Sequence, residues 1–324
     1  MSTAKKYKKY LLAVIILICL SLICVGIIHY RRNYLCYDMD FVVKDTLPDG
    51  EGKSATVVLL GGQSNASGCS RDDYLQKNVS EEKYSEYKNG YDNVYINYYC
   101  TGTNESKGFV KCAAKQGEAG GYFGPELGLA EKMHEMYPDE QFFIIKYAWG
   151  GSNLYDQWIS PSGKGATGNL YKNFVSFVEQ SMEYLIQKNY DVKISGMCWM
   201  QGESDALSAE NATDYKTNLT KFISDLRERF DSYAADGKIA FVDALIAENP
   251  ELWTYCDLLN ASKREVAELS RMNALIDTNA AGLVCTEEPK ENPDTAHYDS
   301  LSEIKLGHLF AEELARLLSY GKNE

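Results

Sequence analysis

Residues 55–60, Ala-Thr-Val-Val-Leu-Leu, are aliphatic or β-branched throughout and run directly into two glycines. A run that is apolar at successive positions, not at every second one, fits a strand buried on both faces. Comparable runs recur at 141–148, 192–200 and 238–246, and more briefly at 282–286. Between them the apolar residues fall at helical spacing: 125–136, which opens on a proline, then 170–188, 213–230, 262–276 and 302–318. Strands alternating with helices of this length build βαβ units. The expected fold is therefore α/β, a three-layer α/β/α sandwich around a mostly parallel five-stranded sheet.

One stretch breaks the rhythm. Residues 66–123 are polar and rich in tyrosine: Tyr74, Tyr84, Tyr87, Tyr91, Tyr95, Tyr98, Tyr99 and Tyr122. Segments this long between elements are functional or disordered, and the tyrosines argue for order. They can line a sugar-stacking wall or simply pack. Residues 93–99 are a candidate extra strand.

The N-terminus is a separate unit. Lys5, Lys6, Lys8 and Lys9 precede an apolar run over 11–28, and Arg31 and Arg32 close it. The run is close to the shortest that spans a bilayer. It ends without the small-residue site of a cleaved signal peptide, so an uncleaved anchor is the preferred reading and a cleaved signal, giving a secreted protein, the alternative. The lysine excess puts the N-terminus in the cytoplasm and the main domain outside, at the cell membrane. The expected organisation is a basic tail (1–10), a membrane segment (11–30), a stalk with Pro48, Gly50 and Gly52 (31–54) and a catalytic domain (55–320).

Six of the 33 basic residues precede residue 33, where no acidic residue occurs. The remainder thus carries 27 basic against 46 acidic residues, a charge of −19. Such a domain repels phosphate backbones, so nucleic acid is not an expected partner. Of nine cysteines, Cys19 and Cys24 lie in the apolar run. None of the others shows a C-x-x-C spacing, so no zinc site and no metal is expected. Cys100 and Cys112 are the candidate disulfide, with free, partly buried thiols the alternative.

Chemistry-bearing residues gather at the ends of the apolar runs. The first leads into Gly61-Gly62-Gln63-Ser64-Asn65. A serine at the tip of a parallel strand is placed as a nucleophile, provided a base takes its proton and donors receive the oxyanion; alone it reads equally as a helix cap. The second run ends in Trp149-Gly150-Gly151-Ser152, where a glycine can present backbone N–H. The third ends in Gln201-Gly202-Glu203-Ser204-Asp205. Gln201 can donate an amide hydrogen bond, and Glu203 and Asp205 can bind substrate or hold the loop. The fourth cluster is Asp294-Thr295-Ala296-His297. Of the four histidines, His29 sits at the anchor, and His134 and His308 lie in helical patterns. Only His297 is in a polar loop, with an aspartate three residues earlier that can fix its tautomer.

In this order, G-Q-S-N at 62–65, G-G-S at 150–152, Q-G-E-S-D at 201–205 and D-x-x-H at 294–297 resemble the blocks of the SGNH-hydrolase superfamily. Within it the chain most resembles the sialate O-acetylesterase-like group, which includes the carbohydrate esterase family 6 acetylxylan esterases. Gly124-Pro125-Glu126, residues 151–158 and residues 297–307 extend the likeness over about 55–318. The resemblance implies a flavodoxin-like sandwich, no cofactor, and hydrolysis of acetyl esters on carbohydrate through an acyl-enzyme. It implies Ser64 as nucleophile, His297 as base and Asp294 as its orienting partner. It places the Ser64 and Gly151 N–H groups in an oxyanion hole, together with one amide side chain. The wider superfamily takes that amide from an asparagine where this chain has Ser204, so Gln201 inherits the role. Gln63, Asn65, Glu203, Asp205 and Trp149 are left as substrate-binding or loop-structuring residues, and Trp158 and Trp253 as further specificity candidates. A non-hydrolytic carbohydrate-binding protein, or an acetyltransferase using the same acyl-enzyme, are the alternative functions.

Overall fold

The structure is a computed structural model and describes residues 41–321 and, ahead of them, only Val14 and Ser21. Those two residues apart, the expected tail, membrane segment and first part of the stalk lie outside the described residues. Among the described residues, no helix is long and apolar enough to cross a membrane.

The chain proceeds through β1 (Ser54–Gly62), a one-turn helix α1 (Ser64–Ser67), β2 (Ser70–Arg71), α2 (Asp72–Asn78), α3 (Glu81–Asn89) and β3 (Val94–Cys100). Three short strands follow, β4 (Asn104–Glu105), β5 (Val110–Lys111) and β6 (Tyr122–Phe123), and then α4 (Glu126–Met136), β7 (Gln141–Ala148) and α5 (Asn169–Gln187). The remainder is β8 (Asp191–Met200), α6 (Ala209–Arg229), β9 (Ala240–Ala244), α7 (Cys256–Glu268), β10 (Asn273–Ile276) and α8 (Ser300–Gly321).

Six parallel strands lie in the order β3-β7-β1-β8-β9-β10, one more than the five expected. The short strands β4 and β5 pair antiparallel with β3 and complete an eight-stranded sheet. Side chains alternate across it, as strand geometry requires. Along β7, Phe143 and Tyr147 meet Phe109, Tyr190 and Phe177 on one face. Lys146, on the other face, reaches Glu126 of α4. Helices α4 and α8 are in close contact: a Cβ on Gly128 would lie 2.0 Å from the Ile304 carbonyl oxygen, and one on Gly307 2.2 Å from that of Pro125. On the opposite face Trp158, Trp199 and Phe222 form an aromatic cluster. The core strand β1 is buried from Val57 to Leu60, each such side chain contributing about 1.5–3 kcal/mol relative to exposure.

The Tyr-rich segment is ordered, as its tyrosines suggest, and the candidate strand at 93–99 is the strand Val94–Cys100, lying between β7 and the short β4 and β5. Other expectations need correction. Residues 282–286 form no strand. Leu283 and Cys285 are buried there, but the backbone is a loop in which Val284 N–H donates to Ser302 Oγ at 2.9 Å. The sheet edge is instead Asn273–Ile276, which reads from sequence as the end of a helix because Ala and Leu continue the apolar spacing of α7. A turn at Ser270 separates the two, and Arg227 of α6 fixes the edge strand through the Met272 carbonyl and Asn273 Oδ1. Residues 41–53, assigned to a stalk, lie against the domain: Phe41 packs on Tyr99, Tyr147 and Phe177, and Leu47 is buried. Cys100 and Cys112 are both free and buried.

Candidate active site

Strand β1 sits between β7 and β8, where the chain's path across the sheet reverses, and ligands of open α/β sheets bind at the carboxyl ends of strands at such a point. Gly61 and Gly62 pair with Tyr147 and Ala148 on one side and with Trp199 and Met200 on the other. The first three chemical clusters therefore emerge side by side. Gly62 has φ +139°, and a Cβ there would lie 1.9 Å from the Met200 carbonyl oxygen, so the turn admits only glycine. Gln63 N–H donates to that same oxygen at 2.9 Å, and Ser64 then opens α1. Ser64 is 9% exposed.

His297 comes from the loop between β10 and α8. Its Nδ1 donates to Asp294 Oδ2 at 2.7 Å, which leaves Nε2 as the acceptor a general base needs. Asp294 also caps the turn, accepting from Ala296 N–H at 3.1 Å. The residues on both sides of His297 are tied to the Ser64 turn by one side chain. Asn65 Nδ2 donates to the Ala296 carbonyl at 3.3 Å, and Asn65 Oδ1 accepts from Tyr298 N–H at 3.2 Å. Ser70 Oγ holds the Tyr298 carbonyl at 2.6 Å. The residue next to the serine thus clasps the residues next to the histidine.

Behind the turn lies a buried polar brace. Asn65 Nδ2 also donates to Glu203 Oε1 at 2.8 Å. Asp205 accepts from the N–H groups of Leu154 and Tyr155 and from Gln201 Nε2, at 2.8, 3.1 and 2.6 Å. Gln63 Oε1 accepts from Gly202 and Ser204 N–H, both at 3.3 Å. Burial lifts the Glu203 carboxyl above its usual range, and its Oε2 has no hydrogen-bond partner. Burial likewise pushes Asp205 up to about 7, against the three donors that favour its ionised form. Gln63, Glu203 and Asp205 hold loops together. Gln201 departs from its expected place: it is fully buried, and Nε2 already donates to Asp205 and to the Ser152 carbonyl at 3.0 Å. Its Oε1 accepts from Tyr215 at 3.0 Å. Its amide therefore braces the Gly-Gly-Ser loop, and the role of oxyanion donor does not fit this geometry.

Gly151 has φ +62° and is exposed at the tip of β7. Trp149 is half-buried, and its backbone N–H donates to the Gly62 carbonyl at 3.0 Å. Trp158 and Trp253 are buried, so neither faces a ligand; Trp158 Nε1 donates to Ser152 Oγ at 2.8 Å. His134 is occupied by Asn93, and His308 by Glu131. Among the described residues, no group of three or more His, Cys, Asp or Glu is arranged to hold a metal ion. Sequence reasoning missed Ser70 and the Glu126–Lys146 pair beneath the site. Lys146 lies inside an apolar strand pattern, which was the available signal.

Comparison with solved structures shows the fold. A protein from Arabidopsis thaliana superimposes with a TM-score of 0.59 at 17% identity, covering 81% of this chain and 98% of the other. The protein NanS gives 0.59 at 15% identity, with 84% and 99% covered. A carbohydrate acetylesterase from Xanthomonas citri gives 0.51 at 18% identity, with 82% of this chain and 57% of the other covered. No curated protein sequence matches the chain. Residues 54–316 match the family described as carbohydrate esterase, sialic acid-specific acetylesterase. That span contains all four chemical clusters and nearly the whole sheet-and-helix domain, and the chain belongs to this carbohydrate esterase family.

Proposed function

We propose that the protein is a carbohydrate O-acetylesterase working by a Ser-His-Asp mechanism. The observation that carries the reading is the Asn65 clasp, which ties the Ser64 turn to a loop whose histidine is already oriented by Asp294. Ser64 Oγ attacks the acetyl carbonyl while His297 Nε2 takes its proton. Backbone N–H groups at Ser64 and Gly151 receive the oxyanion. The sugar hydroxyl leaves with the proton from His297, giving acetyl-Ser64. Water, deprotonated by His297, then attacks that ester, and acetate is released as His297 returns the proton to Ser64 Oγ. Gln201 contributes from behind by fixing the Ser152 carbonyl and Asp205. Ser64→Ala should reduce acetate release from acetylated xylan by at least about 10³-fold; turnover at the parent rate would reject the serine mechanism.

The lysines ahead of the apolar run at 11–28 favour an anchored domain outside the cytoplasm. Protease added to intact cells should then digest the domain, and protection would count against that placement.

A further inference from the structure

An open groove of about 490 Å³ borders His297, within the size range of small-ligand sites. Arg71 and Tyr122 form one wall, with Glu288, Asn292, Asp294 and His297 in the others. In a serine esterase the base returns its proton to the departing hydroxyl, so the alcohol half of the ester lies against the histidine. The groove is the adjoining space.

Its walls say what kind of alcohol fits. Arg71 and Tyr122 are directly paired across β2 and β6, which sets both side chains on the same face of the ribbon. Tyr122 is 37% exposed, whereas Tyr87, Tyr91, Tyr98 and Tyr99 of the same segment are buried. An open aromatic face beside polar groups suits the C–H face of a sugar ring. Arg71 is the one lysine or arginine in the walls, and its charge is partly offset: Nε and one terminal nitrogen donate to both oxygens of Asp73 at 2.9 and 3.0 Å, an aspartate that Lys77 also approaches at 3.3 Å. Glu288 and Asp294 add two carboxylates. The balance is negative.

We propose, building on the esterase reading, that this groove takes the sugar of the ester on Tyr122 and that its charge selects neutral over acidic sugars. This preference runs against the acidic sugar in the family's description.

The experiment compares kcat/KM, read as acetate release, for O-acetylated N-acetylneuraminic acid with that for the methyl ester of the same sugar, which removes the charge and adds one methyl group. The methyl ester should be favoured by about tenfold, as expected for like charges at groove distances in a half-solvated site, and added salt should narrow the gap. Asp73→Asn, which releases Arg71, should narrow it too. Tyr122→Ala should lower kcat/KM on acetylated xylo-oligosaccharides by about tenfold and lower that on ethyl acetate, whose alcohol is too small to span the groove, by much less. Equal or faster turnover of the acid, or equal losses on both substrates in Tyr122→Ala, would overturn the proposal. No turnover of p-nitrophenyl acetate by the parent protein would overturn the esterase reading and this inference with it.

Discussion

Replacing Asn65 with alanine removes three hydrogen bonds at once, to Glu203, to the Ala296 carbonyl and from Tyr298 N–H. Asn65 is 3% exposed, so water does not readily replace them. Two of the stranded groups, Glu203 Oε1 and Tyr298 N–H, take part in buried bonds, and each unsatisfied buried group costs about 1–3 kcal/mol. The expected loss is about 2–5 kcal/mol in urea unfolding. The catalytic loss should be larger in proportion. With its clasp gone the His297 loop keeps Ser70 and its own internal bonds, such as Asp294 N–H to the Glu288 carbonyl, but loses its tie to the serine turn, and a displacement of about 1 Å at a reacting group costs on the order of 10²-fold. This loss should fall on kcat, because Asn65 holds the residues flanking the proposed base. Asn65→Asp keeps the acceptor for Tyr298 but sets a second carboxylate beside Glu203. Its activity relative to the parent should rise as pH falls and the two share a proton. A variant N65A within about 0.5 kcal/mol of the parent's stability and with unchanged kcat would refute the reasoning.

Two further outcomes concern the scaffold. Glu126→Ala should destabilise the fold by about 3–5 kcal/mol in chemical denaturation, because it strips the buried Lys146 ammonium of its carboxylate partner at 2.6 Å; a loss below about 1 kcal/mol would contradict the assigned pairing. Burial holds Asp205 at about 7 and Asp243 at about 6, both above the unfolded value of about 3.9. The folded state therefore keeps these protons longer than the unfolded chain, so their contribution to stability falls as pH rises from about 4 to about 7. The decline of Tm over that window should flatten in Asp205→Asn, and an unchanged slope would show that Asp205 does not titrate there.

Legibility in the sequence followed the physics of each element. The strands buried on both faces were readable because their apolar runs end abruptly on glycine or polar clusters, and those clusters did converge: Gly62, Ala148 and Met200 lie abreast. The long amphipathic helices were equally plain. The strand Val94–Cys100 was harder to place, since its tyrosines and Asn97 make a buried strand look like part of a polar insert; Asn97 is satisfied by Ser181 and Ser106, partners far from or beyond its own strand. The edge strand Asn273–Ile276 is too short for periodicity to distinguish from the helix before it. Side-chain roles were the least readable. Gln201 looks like a donor at a strand tip, and only the tertiary positions of Asp205, Ser152 and Tyr215 show that its amide is engaged. The reach of Asn65 to residues 296 and 298 likewise has no local signature.

The central claim is that Ser64 is the acylated nucleophile and His297 its base. It is tested most directly by treating the protein with a fluorophosphonate and locating the adduct by peptide mass spectrometry. A single adduct on Ser64 is expected, absent in Ser64→Ala and formed far more slowly in His297→Ala, in step with the loss of acetate release. An adduct on another residue, or labelling at the parent rate without His297, would contradict it.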